Sequence, residues 1–282
     1  MSRTRALAGT AAGLLVAVGA LAQFGGPRGP FHERPNVSYD GRFTFVRLKY
    51  TTAPGGYWYG GWPAWGHGYP ISEQNLMNIM NEVSYLNPHV DDVNVLTLDD
   101  PELFKYPAAY VIEVDWWAMT DSEAAALRTY LQKGGFLIVD DFKPRRRGRS
   151  FLSEESALGP RDGVDFGSGW PVFEAQMKRV LPEGRFVDLD ASHPIFHSFF
   201  EINRLDIIPQ AYIAGTPVFR GLFEDNDPRK RLQILVNYNT DVSQFWEWSG
   251  TGLRPDRRHQ RSLQARRELH RLRADALNRW SA

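Results

Sequence analysis

The feature that most constrains this chain is an alternation, from Gly41 onward, of short β-prone runs with segments of helical period. Phe43–Lys49 sets Phe43, Phe45 and Arg47 against Thr44, Val46 and Leu48, and reads as a first strand, apolar at most positions. Ser72 is placed to cap a helix carrying Leu76, Ile79, Met80 and Val83 on one side, with Asn87-Pro88 closing the segment. Strands are expected next at Val93–Leu98 and Tyr110–Val114. Thr120-Asp-Ser-Glu123 has the spacing of a capping box, so a helix should run through Leu127, Tyr130 and Leu131 and end at Gly134 or Gly135. Phe136–Val139 is a continuous apolar run, as for a strand covered on both faces, and it stops at Asp140-Asp141. After an irregular excursion over 143–169, rich in Arg, Gly and Ser, come a helix at Val172–Val180 and a strand at Arg185–Leu189. Gly221–Glu224 and Leu232–Val236, parted by Asp225-Asn-Asp-Pro228, fit a hairpin. The alternation predicts one α/β domain with a mostly parallel sheet flanked by helices and right-handed crossovers.

The N-terminus reads as a targeting segment. Arg3 and Arg5 precede an uncharged apolar run from Ala6 to Leu21, and Ala20-Leu21-Ala22 offers small residues for cleavage after Ala22. Residues 1–22 are therefore expected to be a signal peptide, and the product to be exported, periplasmic or extracellular. The alternative is an uncleaved anchor, which would be the chain's one membrane contact, although the run falls just short of the about 20 residues that span a bilayer. Residues 23–40, with three glycines and three prolines, have the composition of a linker.

Composition removes several chemistries. The chain has no cysteine, which excludes disulfides, thiolate metal sites and cysteine nucleophiles together. Its 33 basic and 33 acidic residues balance, so no overall field would draw it to nucleic acid. Asp140 and Asp141 end a strand where ligands of open α/β sheets bind, and could hold a divalent cation or act as acid and base. The plainer alternative is that one caps a turn and the other is solvated. His193 and His197 have the four-residue spacing of a zinc pair, but Pro194 between them disfavours a helix there, and no metal is assigned. The stretch from Tyr57 to His67 is dense in aromatics among glycines. Tyr57, Trp58, Tyr59, Trp62 and Trp65 form a candidate stacking loop for a sugar or a partner's apolar patch, or else fold into the domain's own core.

Four segments taken together resemble a known family. They are Phe43–Tyr50; Leu127–Leu131 running into Gly134–Phe142; Phe173–Pro182; and Ser192-His-Pro-Ile-Phe-His-Ser-Phe-Phe200. Over roughly residues 41–253 the chain resembles the domain of unknown function 4159 family. The resemblance implies a flavodoxin-like fold, class I glutamine amidotransferase-like, in a family without an assigned activity. A glutamine amidotransferase needs a cysteine at a strand-to-helix elbow. At the matching place this chain carries Asp115-Trp116-Trp117, and Ser122 belongs to the capping box, so that chemistry is excluded. The candidate pocket is then Asp115, Trp116, Asp140, Asp141 and His193, with no cofactor implied. The expected function is a non-catalytic module for an unknown ligand or envelope protein. The alternative is a periplasmic hydrolase or metal-dependent enzyme built on Asp140, Asp141 and His193, which requires those side chains to converge.

The C-terminus departs from that family. Over 254–282, nine arginines stand against Asp256, Glu268 and Asp275. Family members continue past a segment like Phe245-Trp-Glu-Trp248 with a string similar to NEAYKLGVNYIVYGLTH. Codons for Pro255–Leu277 can be chosen so that the next frame reads TDDTNEAYKLGVNYIVYGLTH and then a stop. The tail is therefore expected to arise from a one-nucleotide shift near Arg254–Asp256, which sequencing the locus checks. The competing reading is a basic amphipathic helix with Ala265, Leu269, Leu272, Ala276 and Trp280 on one face.

Overall fold

The computed structural model describes residues 30–58, 61–142, 169–198, 200–206 and 217–249. Residues 1–22, read as a signal peptide, Tyr59, all of the 143–169 excursion except Gly169, and the arginine-rich stretch over 254–282 lie outside the described residues.

Seven strands form one sheet. They are β1 (Phe45–Leu48), β4 (Val93–Leu96), β5 (Ala108–Ile112), β6 (Phe136–Phe142), β7 (Phe186–Asp188), β8 (Val218–Phe223) and β9 (Leu232–Tyr238). Their order is β4-β1-β5-β6-β9-β8-β7. The pairs β1–β4, β1–β5, β5–β6 and β6–β9 are parallel, while β8 runs antiparallel to both β9 and β7. The hairpin expected after Gly221 is thus β8–β9, and the fold is α/β with a mostly parallel sheet. A separate two-stranded ribbon, β2 (Tyr57–Trp58) with β3 (Trp62–Pro63), follows β1.

The helices are α1 (Ile71–Val83), α2 (Asp121–Gln132), α3 (Trp170–Val180) and the short α4 (Ser243–Glu247). α1 packs with α4 and α2 with α3. Among the described residues no helix is long and apolar enough to cross a membrane. In the core formed by strands and helices, Leu48, Val111, Ile112, Leu127, Leu137, Val139, Phe173 and Ile234 are fully buried. α2 has the expected capping box, with Thr120 Oγ1 accepting from Glu123 N and Glu123 Oε2 accepting from Thr120 N. Gly134 follows it at φ 109°, the left-handed region that glycine enters without a Cβ penalty.

Three expectations are corrected. Ser72 does not cap α1. Its hydroxyl donates to the Gly68 carbonyl at 2.8 Å from inside the helix, and Pro70 occupies the N-cap. The strand expected to reach Val114 stops at Ile112, because Glu113 turns to φ 53° and Val114–Trp116 makes a single 3-10 turn. The stretch read as a linker is tied to the domain from Phe31 on. The Phe31 ring sits edge-on to Trp62 and Trp65, and the Asn36 carboxamide bonds both Val95 N and Val95 O.

Arg47 on β1 and Glu73 on α1 form an ion pair with no exposed side-chain surface to speak of, 0% and 1%. Arg47 Nη1 also donates to the Trp65 carbonyl at 2.6 Å, so the pair joins strand, helix and aromatic loop. Trp65 is itself buried. Trp65→Ala is expected to destabilise the domain by about 3 kcal/mol through the lost contacts and the cavity left. Denaturant unfolding checks this, and an unchanged midpoint would place Trp65 outside the core.

Candidate functional site

The carboxyl ends of the parallel strands carry the chemistry. Glu113 directly follows β5 and β6 turns at Asp141, and both residues adopt positive φ, 53° and 46°. For residues with a Cβ this backbone is uncommon and costs energy, so the surrounding structure must hold it. The result in both cases is a carboxylate turned toward the loop after β1. There His67 follows the 3-10 turn Ala64–Gly66, its amide bonded to Ala64 O at 3.1 Å, and precedes Gly68 at φ 73°.

His67 Nδ1 lies 3.0 Å from Glu113 Oε1 and 3.2 Å from Asp141 Oδ2. The side chains retain 18%, 10% and 2% exposure for His67, Glu113 and Asp141, so His67 is the accessible member. Trp58 completes the arrangement. Its indole Nε1 donates to Glu113 Oε2 at 3.1 Å, and its ring lies against the imidazole with centroids 4.8 Å apart. Tyr50 donates its hydroxyl to Glu113 O at 2.6 Å and so supports the turn from behind. Burial opposes the charged form of His67, but the hydrogen bonds and charges of Asp141 and Glu113 outweigh it and hold its pKa well above the usual 6.5. The Nδ1 position of the ring is shared between two carboxylate oxygens.

Successive residues of a strand point to opposite faces, and the two aspartates of β6 divide accordingly. Asp141 joins His67. Asp140 is fully buried and accepts from Tyr110 Oη at 2.9 Å, Val242 N at 3.1 Å and Ser243 N at 2.9 Å, which ties it to the start of α4. Burial, and then the neighbouring Asp241 charge, raise its pKa to about 7. Its place is under the site, as a structural acceptor.

The other candidates are scattered. His193 packs against Phe196 and Phe223, beside the smaller apolar cluster of Leu189, Phe196, Phe219 and Phe223, and accepts from Ile195 N. It does not meet Asp140 or Asp141, so that trio does not converge. His197 pairs with Glu201 at 2.7 Å and not with His193. Trp116 is half-buried over Gly55-Gly56, where a Cβ on Gly56 would come within 2.6 Å of it. Asp115, in the same 3-10 turn, is half-buried and acts electrostatically on Tyr50 and Tyr238. Of the aromatic loop, Trp58 belongs to the site, Tyr57 is exposed, and Trp62 and Trp65 turn inward onto Phe31. The sequence reading missed His67 and Glu113. The expected strand Tyr110–Val114 encloses Glu113, and the rule that singles out Asp141, a carboxylate at a strand's carboxyl end, applies to Glu113 once the strand stops at Ile112.

A search of curated proteins finds no match to this chain. The family described as a domain of unknown function, DUF4159, matches residues 44–267, past the Leu253 boundary expected from the sequence. That span is most of the chain, and it contains every strand of the sheet and each of His67, Glu113 and Asp141. The protein belongs to the DUF4159 family.

Proposed function

We propose that this protein is an exported, non-catalytic binding module whose ligand seats at the carboxyl edge of the sheet. The observation that carries the reading is the meeting of His67, Glu113 and Asp141, from three separate segments, on one imidazole nitrogen. Counting only the five mutually parallel strands, their order is 2-1-3-4-5, which supports a flavodoxin-like fold of the glutamine amidotransferase-like kind. In that order the chain reverses direction across the sheet between its first and third parallel strands, β1 and β5. Open α/β sheets bind ligands outside the carboxyl ends at such a point, and the loop after β1 and the end of β5 supply His67 and Glu113. Trp58 lays its ring against the imidazole and the neighbouring Tyr57 is exposed, which suits an envelope glycan carrying hydroxyl donors and apolar sugar faces. Export follows the N-terminal pattern, and the intact mass of the secreted product should begin at Gln23.

A hydrolase is the second reading, and the same convergence favours it. Its centre moves from Asp140 and His193 to His67, Glu113 and Asp141. Turnover of a bound glycan would select it over the binding module.

Screening soluble cell-envelope glycans by thermal shift, then titrating the hits calorimetrically, tests the binding reading. A true ligand raises Tm by mass action. Trp58→Ala and His67→Ala should each weaken it at least about tenfold, or about 1.4 kcal/mol. Hits bound equally well by both variants, or no hit at all, overturn the proposal.

A further inference from the structure

We infer that His67, Glu113 and Asp141 form a site for one divalent transition-metal cation. This deepens the reading of the sheet edge as a ligand site and rests on it. The potential ligand atoms, one imidazole nitrogen and two carboxylate oxygens, all lie within 4.8 Å of one another. Two atoms bound to one cation at about 2.0–2.2 Å stand roughly 2.8–3.6 Å apart, for bond angles between octahedral and tetrahedral. The observed separations from His67 Nδ1 are 3.0 Å to Glu113 and 3.2 Å to Asp141. Both separations from the imidazole nitrogen are already at the spacing one ion would impose, and the two carboxylate oxygens lie within 4.8 Å of each other.

The supporting contacts point the same way. Metal-ligating carboxylates are held by hydrogen bonds through their other oxygen. Glu113 has that arrangement, with Oε2 on the Trp58 indole and Oε1 toward His67. Both carboxylates are carried by residues at strained positive φ, which fixes their direction through the backbone. His67, the member with most exposure, gives the route of entry.

The donor set selects the ion. One imidazole with two carboxylates suits zinc or manganese, whereas calcium and magnesium favour all-oxygen shells. Three protein ligands leave further coordination positions, and those are where an oxygen of the module's ligand would bind. On binding, the cation replaces the proton on His67 Nδ1, which passes to solvent. No short metal motif marks the site, since its members are 46 and 28 residues apart in sequence.

The test is equilibrium dialysis of the full-length, chelator-stripped protein against zinc, manganese, calcium and magnesium chlorides, with metal content read by mass spectrometry. The expected result is one equivalent of zinc or manganese in preference to calcium and magnesium. Affinity should fall at least about tenfold in His67→Ala, Glu113→Gln and Asp141→Asn, and stay unchanged in Glu224→Gln at the far end of β8. Because Asp141→Asn can disturb β6, cobalt loaded into the unaltered protein gives a second reading. Its visible absorption should be altered by loss of the imidazole ligand in His67→Ala. Absence of stoichiometric binding, or binding indifferent to all three substitutions, overturns the site. Failure of zinc and manganese to bind while glycan binding persists removes the cation and leaves the binding module intact, so the two ideas fail separately.

Discussion

Glu73→Gln is expected to lower the stability of the domain by about 3–5 kcal/mol, because it leaves the Arg47 guanidinium charged, buried and without its carboxylate. For a domain of this size that corresponds to a fall in Tm on the order of 10 °C. The paired substitution Arg47→Met with Glu73→Leu should recover most of the loss. A buried ion pair contributes little net stability against apolar residues of similar volume, since both charges must first be stripped of water. The pair's role lies in specificity. Glu73 fixes the start of α1 over β1, and the Arg47 bond to Trp65 O fixes the aromatic loop that presents His67. Urea unfolding followed by tryptophan fluorescence separates the cases. A loss below about 1 kcal/mol for the single substitution would mean that Arg47 is compensated elsewhere.

The second large effect is at Asp140. Asp140→Ala takes the acceptor from a buried tyrosine hydroxyl and from two backbone amides at the start of α4. Each orphaned donor costs about 1–3 kcal/mol, offset in part by removing a carboxylate that crowds Asp241 and Asp141. The net expectation is a loss of about 3 kcal/mol or more. It should be accompanied by faster hydrogen exchange over residues 242–248. α4 is otherwise tied to α1 through Asn75, which donates to Trp246 O at 2.9 Å and to Glu247 O at 3.3 Å. Ligand affinity should change little wherever the variant remains folded. Unaltered stability with lost binding would return Asp140 to the pocket.

The aspartate pair shows how far the sequence could be read and where it stopped. Its position at the end of a buried apolar run pointed to the ligand-binding edge, and strand alternation dictates that only one of two adjacent side chains can face a given site. Which one does so depends on the irregular register of β6 against β9 between Val139 and Phe142. That is a property of the sheet, with no local signature. The capping box at Thr120 and the hairpin of β8 and β9 were legible because the residues that cause them are sequence neighbours. His67 was not, since its partners lie 46 and 74 residues away and meet it only through strand order. It stood at the end of a stretch whose tryptophans drew attention to stacking, and one of them, Trp58, does hold Glu113 in place. His193 shows the opposite failure. A histidine beside proline near a strand end fits a pocket in sequence, yet its side chain accepts an amide in a turn and packs on phenylalanines.

The carboxamide of Asn36 has a consequence for where this domain begins. Strand β4 is the outermost on its side, and the Val95 N–H and C=O point away from β1, as an open edge that another strand could extend. Asn36 meets both groups, donating at 3.0 Å and accepting at 2.8 Å, and so imitates one peptide unit of an eighth strand. Beside it, the main chain of Val37 is held by the side chain of Asn94. A short stretch ahead of the first strand therefore seals the margin against self-association. A fragment trimmed to begin at Gly41 would keep every strand and helix of the sheet domain, yet it would offer a second copy a bare edge to pair with.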